Sequence, residues 1–75
     1  VEYFASLREP AGATAETVTT EAHTAAGLWD ELRLRHGFHL DLDAVRLARN
    51  DEFADWTSEL RDGDRLAFLP PFAGG

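Results

Sequence analysis

The chain predicts a small α+β roll, a sheet with one main helix packed on one face. Period-two alternation recurs at the start, middle and end of the chain, whereas the 3.6-residue helical period occurs once. At 75 residues, with 44% hydrophobic content including five Phe, two Trp and one Tyr, the chain fills one core and has no room for a second domain. Strands on both sides of a single helix pack as a roll with that helix over one sheet face.

Residues 1–7 place Val1, Tyr3, Ala5 and Leu7 on one side and Glu2, Phe4 and Ser6 on the other. This is a strand with one outward aromatic, Phe4. Glu9-Pro10-Ala11-Gly12 breaks it, and residues 14–20, rich in Thr and Val, read as a second strand returning antiparallel to the first. Thr24 caps a helix whose apolar positions Ala25, Leu28, Trp29 and Leu32 follow i, i+3, i+4, i+7, and Gly37 stops it.

Residues 42–50 carry Val45 and Leu47 alternating with Arg46 and Ala48, and end in the turn pair Asn50-Asp51. Phe53, Ala54 and Trp56 follow in a connection with no clear period. Asp62-Gly63-Asp64 is a turn, because Gly accepts positive φ and Asp side chains bond nearby amides. Residues 65–69 are the last strand, with Leu66 and Phe68 on one face and Ala67 and Leu69 on the other. The helix covers one sheet face, leaving Phe4 and Leu69 together on the opposite face if the first and last strands are neighbours.

Composition narrows the chemistry. Seven arginines, no lysine and fourteen acidic residues give a net charge of −7, which disfavours nucleic acid and anionic membranes and favours a partner with a basic face. Without Lys or a Gly-rich phosphate loop the chain does not hold ATP itself. Without Cys it forms neither disulfides nor thiolate metal sites, so any sulfur it handles comes from outside. No apolar run is long enough to cross a bilayer, and the sequence opens on a strand-like segment instead of a signal peptide, so the cytoplasm is the expected compartment. The missing initiator Met suggests processing, or a few residues trimmed before Val1.

Other candidate groupings fall away. His23, His36 and His39 lack the i, i+4 spacing of a helical metal pair, and Asp41, Asp43, Asp51 and Glu52 lack the regular ligand spacing of a calcium loop. Ser6 and Ser58 have no His or Asp at triad-motif spacing. The remaining handle is the end of the chain, Pro70-Pro71-Phe72-Ala73-Gly74-Gly75. Prolines end a ladder, and a Gly pair passes through channels too narrow for any side chain. Residues 1–69 are thus expected as the folded domain and 70–75 as a flexible tail. Five residues from Pro71 at about 3.3 Å each carry the terminal carboxylate roughly 16 Å outward.

Tyr3-Phe4-Ala5-Ser6-Leu7-Arg8-Glu9, Leu60-Arg61-Asp62-Gly63-Asp64 and Leu69-Pro70-Pro71-Phe72-Ala73-Gly74-Gly75 together resemble one family. It is the molybdopterin synthase small subunits, the MoaD-like sulfur carriers of the MoaD/ThiS family, and the resemblance spans nearly the whole chain. It implies a ubiquitin-like β-grasp roll with a mixed sheet. An E1-like (MoeB-like) adenylyltransferase, using ATP and Mg, would adenylate the Gly75 carboxylate, and a sulfurtransferase would replace AMP with sulfur. The thiocarboxylate would then enter the large (MoaE-like) subunit of a two-plus-two tetramer and donate sulfur to cyclic pyranopterin monophosphate. This chain would bind no cofactor and would be a sulfur donor, with the active site mainly on the large subunit.

By the same resemblance Gly75 is the reacting group, and Gly74, Ala73, Phe72 and Pro71 form the tail behind it. Phe4, Phe53 and Leu69 match positions where the family sets apolar side chains against the large subunit. Phe72 departs from the smaller aliphatic residue usual before Ala-Gly-Gly. A carrier serving thiamin, cysteine or tRNA thiolation, or a ubiquitin-like modifier or binding module, would share the fold.

Overall fold

A computed structural model describes residues 1–71. Four short strands, β1 (Glu2–Tyr3), β2 (Arg46–Arg49), β3 (Glu52–Ala54) and β4 (Leu66–Leu69), form one mixed sheet in the order β1-β4-β2-β3. β1 runs parallel to β4, and β2 is antiparallel to both β4 and β3. Two helices, α1 (Arg8–Ala11) and α2 (Ala25–His36), complete the α+β roll.

The α2 helix forms where the sequence places it. Thr24 holds extended backbone and its Oγ1 accepts the Gly27 N–H at 3.2 Å, while Gly37 closes the other end at φ 71°. The next orphan amides are met from outside the helix: Ser58 O accepts from Ala25 N and Trp56 O from Ala26 N. The helix buries Ala25, Leu28, Trp29 and Leu32 against the inner sheet face, where Tyr3, Phe68 and Leu47 stand in register across β1, β4 and β2. Trp29 lies edge-on to Phe68 at 5.2 Å and stacks on Phe38 at 5.4 Å.

Three expected strands change. Residues 1–7 are strand only at Glu2–Tyr3; Ala5 takes φ 49°, and residues Ala5–Leu7 turn as a 3₁₀ helix into α1, which ends at Gly12. Pro10 is tolerated there because first-turn amides have no intrahelical acceptor. Ala5 is therefore exposed, while Leu7 still reaches the core. Residues 14–20 run antiparallel to β1 as expected, but pair only around one bridge, Glu2 with Ala15, with Tyr3 N donating to Thr14 O and Glu16 N to Val1 O. Residues 42–44 form a 3₁₀ turn, so β2 begins at Arg46.

Residues 52–54, with no readable pattern, form β3 instead of a connection. Asn50 at φ 52° and Asp51 at φ 73° make the two-residue, doubly positive turn that joins antiparallel strands with the right twist. Trp56 then folds inward, tilted over Phe68 at 5.7 Å, and its Nε1–H donates to Val45 O. The turn before β4 is tied to this hairpin. The Asp64 carboxylate accepts from Arg61 N, Asn50 Nδ2 and Arg49 Nε, and those donors hold it below the usual carboxylate range.

A second polar lock ties the start of the chain to the end of α2. Glu16 Oε2 accepts from Tyr3 OH at 2.6 Å and from His36 Nε2 at 2.7 Å, and Arg35 lies 3.8 Å from Oε1. Burial, then the Glu16 bond, pushes the Tyr3 hydroxyl above its ordinary value. The Tyr3 bond, opposed next by burial and aided by His36 and then Arg35, holds the Glu16 carboxyl below its ordinary value. A carboxyl depressed on folding stabilises the domain fully above its unfolded value, and loses that contribution as pH falls through the folded one. Glu16→Gln is expected to cost about 1 kcal/mol near neutrality, the ionic share being small because the carboxylate side chain is 24% exposed. The difference between variant and parent narrows below about pH 4. Melting curves across that range check it; a constant difference at every pH would mean that Glu16 is not the titrating lock.

Candidate protein-docking face

The sheet face opposite α2 follows from strand register. Glu2, Ala67, Ala48 and Phe53 form one row across β1, β4, β2 and β3, and Leu69 pairs with Arg46 in the next. Alternation puts these residues outward, while Tyr3, Phe68 and Leu47 point to the core. Phe4, just past β1, joins Leu69, Phe53 and the two alanines around a shallow hollow of about 250 Å³. Small Ala48 and Ala67 make its floor, and Glu2 and Asp51 stand at its rim.

The three apolar residues expected to meet a partner are thus brought onto one face. Phe4 and Leu69 are half-buried, and Phe53, on edge strand β3, is 64% exposed. Phe53 and Trp56 separate: the first belongs to this face and the second to the core margin. Ala48 and Ala67 were not singled out as site residues, although alternation around Leu69 and Leu47 was sufficient to place them.

β4 carries Leu69 on this face and leads straight into Pro70, buried, and Pro71, exposed. The expectations for Phe72, Ala73, Gly74 and Gly75 lie outside the described residues. A larger hollow of about 490 Å³ opens elsewhere, between residues 16–20 and the turn at 60–65. Threonines and the turn line much of it, and it shares none of the face's aromatics. No helix among the described residues is long and apolar enough to cross a membrane.

A sheet face with a central apolar patch and polar edges, beside the exit of β4 into Pro70-Pro71, is suited to docking a folded protein. The chain is similar to several known proteins. The family model described as ThiS family matches residues 1–75. The molybdopterin synthase sulfur carrier subunit of Drosophila melanogaster is 35% identical over 79 residues, covering 100% of this chain and 88% of that protein. Among solved structures, the complex of subunits 1 and 2 of the molybdopterin-converting factor from Helicobacter pylori matches with TM-score 0.64 and 28% identity, over 99% of this chain and 93% of that one. Small archaeal modifier protein 1 of Haloferax volcanii matches with TM-score 0.76 and 28% identity, over 95% and 93%.

Proposed function

This chain belongs to the MoaD/ThiS family, and from that premise we propose that it is the sulfur-carrier small subunit of molybdopterin synthase. One observation carries the reading: the strand that sets Leu69 in the apolar outer face continues directly into the Pro-Pro segment and the Gly74-Gly75 end. A large subunit seated on that face receives the tail from the same strand. Phe4, Phe53 and Leu69 anchor the contact, and Pro71 starts the tail.

The chemistry follows from what a carboxylate lacks. It is a poor electrophile, so the E1-like partner joins the Gly75 carboxylate to AMP with loss of pyrophosphate, using its own ATP and Mg. The terminal sulfur of a sulfurtransferase persulfide attacks the acyl carbon and AMP leaves; a second thiol on the partner side then cleaves the acyl disulfide, being oxidised to a disulfide as the thiocarboxylate is released. The resulting thiocarboxylate is a nucleophile on a tether. Held in the large subunit, it meets cyclic pyranopterin monophosphate without a second diffusional encounter.

Mass spectrometry of the C-terminal fragment tests this after incubation with the activating enzyme, ATP and a sulfur source. Replacement of one oxygen by sulfur, confined to the fragment ending at Gly75, is expected, followed by return of the carboxylate when large subunit and pterin precursor are added. An unmodified terminus in the presence of active enzyme sinks the proposal. A second reading, a protein modifier, is supported by the likeness to the Haloferax modifier. It predicts Gly75 in isopeptide linkage to lysines of other proteins.

A further inference from the structure

The net charge of −7 invites a basic partner, but beside the hollow that Glu2 and Asp51 rim, the docking face also sets arginines against its aromatic rings. Among the described residues Arg33, Arg35, Arg49 and Arg65 stand in ion pairs with carboxylates. Arg8, Arg46 and Arg61 do not. Two of these three flank the apolar hollow, each over one of its aromatic rings. The Arg46 guanidinium carbon lies 4.0 Å from the Phe53 ring centroid, and that of Arg8 lies 5.5 Å from the Phe4 centroid. Arg8 is further held by its Nε–H, which donates to Tyr3 O at 3.1 Å.

Phe4 follows β1 and Phe53 sits on β3, the two outer strands of the sheet, so the cations bracket the patch from opposite sides. A guanidinium stacked on a ring gives up little further side-chain freedom when it meets a carboxylate, and its free N–H edge matches the two oxygens. Both residues are therefore oriented and, among the described residues, lack a carboxylate partner, in a chain with twice as many Asp and Glu as Arg.

We infer that the partner covering this face brings acidic side chains over Arg8 and Arg46, so that the contact is an apolar centre flanked by two charge pairs of the sign opposite to that expected from net charge. The inference rests on the proposed large-subunit contact and adds its electrostatic pattern. Arg46 is the specificity residue: on β2, stacked on Phe53 of edge strand β3, it reads a carboxylate at one fixed distance from that ring. A partner with lysines at those positions is rejected, because like charges are forced together as the apolar patch closes.

The experiment measures association of this chain with its own organism's large subunit at low and high salt, for the parent and for Arg46→Glu, Arg8→Glu/Arg46→Glu, Arg61→Glu and Leu69→Asp. Arg61→Glu makes the same change in net charge away from the hollow. Arg46→Glu is expected to slow association about tenfold at low salt, with the difference shrinking at high salt, while Arg61→Glu stays near the parent. Arg46→Lys, which keeps the charge and loses the planar stack, should fall between. Binding lost in Leu69→Asp but equal in Arg46→Glu, Arg61→Glu and the parent overturns the charge pattern and leaves the docking face standing. Faster association by Arg46→Glu would show a basic partner and overturn it outright. A parent that does not bind the large subunit removes the inference together with the functional reading.

Discussion

Deletion of Gly75 is expected to abolish the proposed thiocarboxylate formation and sulfur transfer while leaving the melting temperature of the domain unchanged. Removing one residue draws the reacting carbon back by about 3.3 Å. Misplacement of about 1 Å already costs on the order of a hundredfold when catalysis depends on positioning, so the loss should exceed that figure in both the activating and the transferring enzyme. Stability should be spared because the hydrophobic core cluster runs from Tyr3 to Phe68, well short of Gly75. Thiocarboxylate yield by mass spectrometry, beside a melting curve, checks both parts. Normal sulfur transfer from the shortened chain would place the reacting group elsewhere.

The second large effect is on the fold itself. Phe68 has no exposed surface and lies against Tyr3, Trp29 and Trp56 at centroid distances of 6.1, 5.2 and 5.7 Å. It is the central residue of the inner sheet row, between Tyr3 and Leu47. Phe68→Ala removes a buried ring and leaves a space that the rigid rings around it fill poorly, at a cost of about 3–5 kcal/mol. A domain of this length has a total stability of about 4–11 kcal/mol. The variant should therefore lose between roughly a quarter and all of its stability, with the denaturation midpoint shifted well below the parent's and the near-ultraviolet signal of Trp29 and Trp56 weakened. Chemical denaturation measures this, and a midpoint equal to the parent's would mean that Phe68 is not the keystone of the core.

How far the fold was legible follows from how many residues each signal spans. The α2 helix has three turns of period, a Thr cap and a Gly stop, and it lies between those marks. β4 was legible because four residues alternate behind a Gly turn that fixes where they start. β3 has three residues, too few for a period, and what determines it is the Asn50-Asp51 geometry together with pairing to β2, a long-range effect that single-sequence alternation does not report. Residues 1–7 failed in the opposite way. Their alternation continues past Tyr3, but Ala5 turns the chain toward α1, and alternation carries no information about that turn.

The docking face was legible in outline because outward aromatics in strands are conspicuous. Phe4 and Leu69 were drawn together by a parallel neighbour relation that the element order suggests and the register bears out. The stacked guanidiniums were not legible. Arg8 follows Phe4 by four residues through a 3₁₀ turn, and Arg46 meets Phe53 diagonally across a hairpin that was not foreseen.

The strand that joins the sheet's two sides is also its last to be made. β4 lies between β1 and β2, so its pairs connect the first strand with the last. A nascent chain that stops at Arg65 holds a helix and a two-stranded hairpin, while β1 still lacks its main partner. Such long-range closure makes folding slow relative to helix formation, and it makes completion conditional on residues 66–69. Partly synthesised or truncated chains should therefore lack the assembled docking face, so that a partner for this face would engage only chains whose sheet has closed.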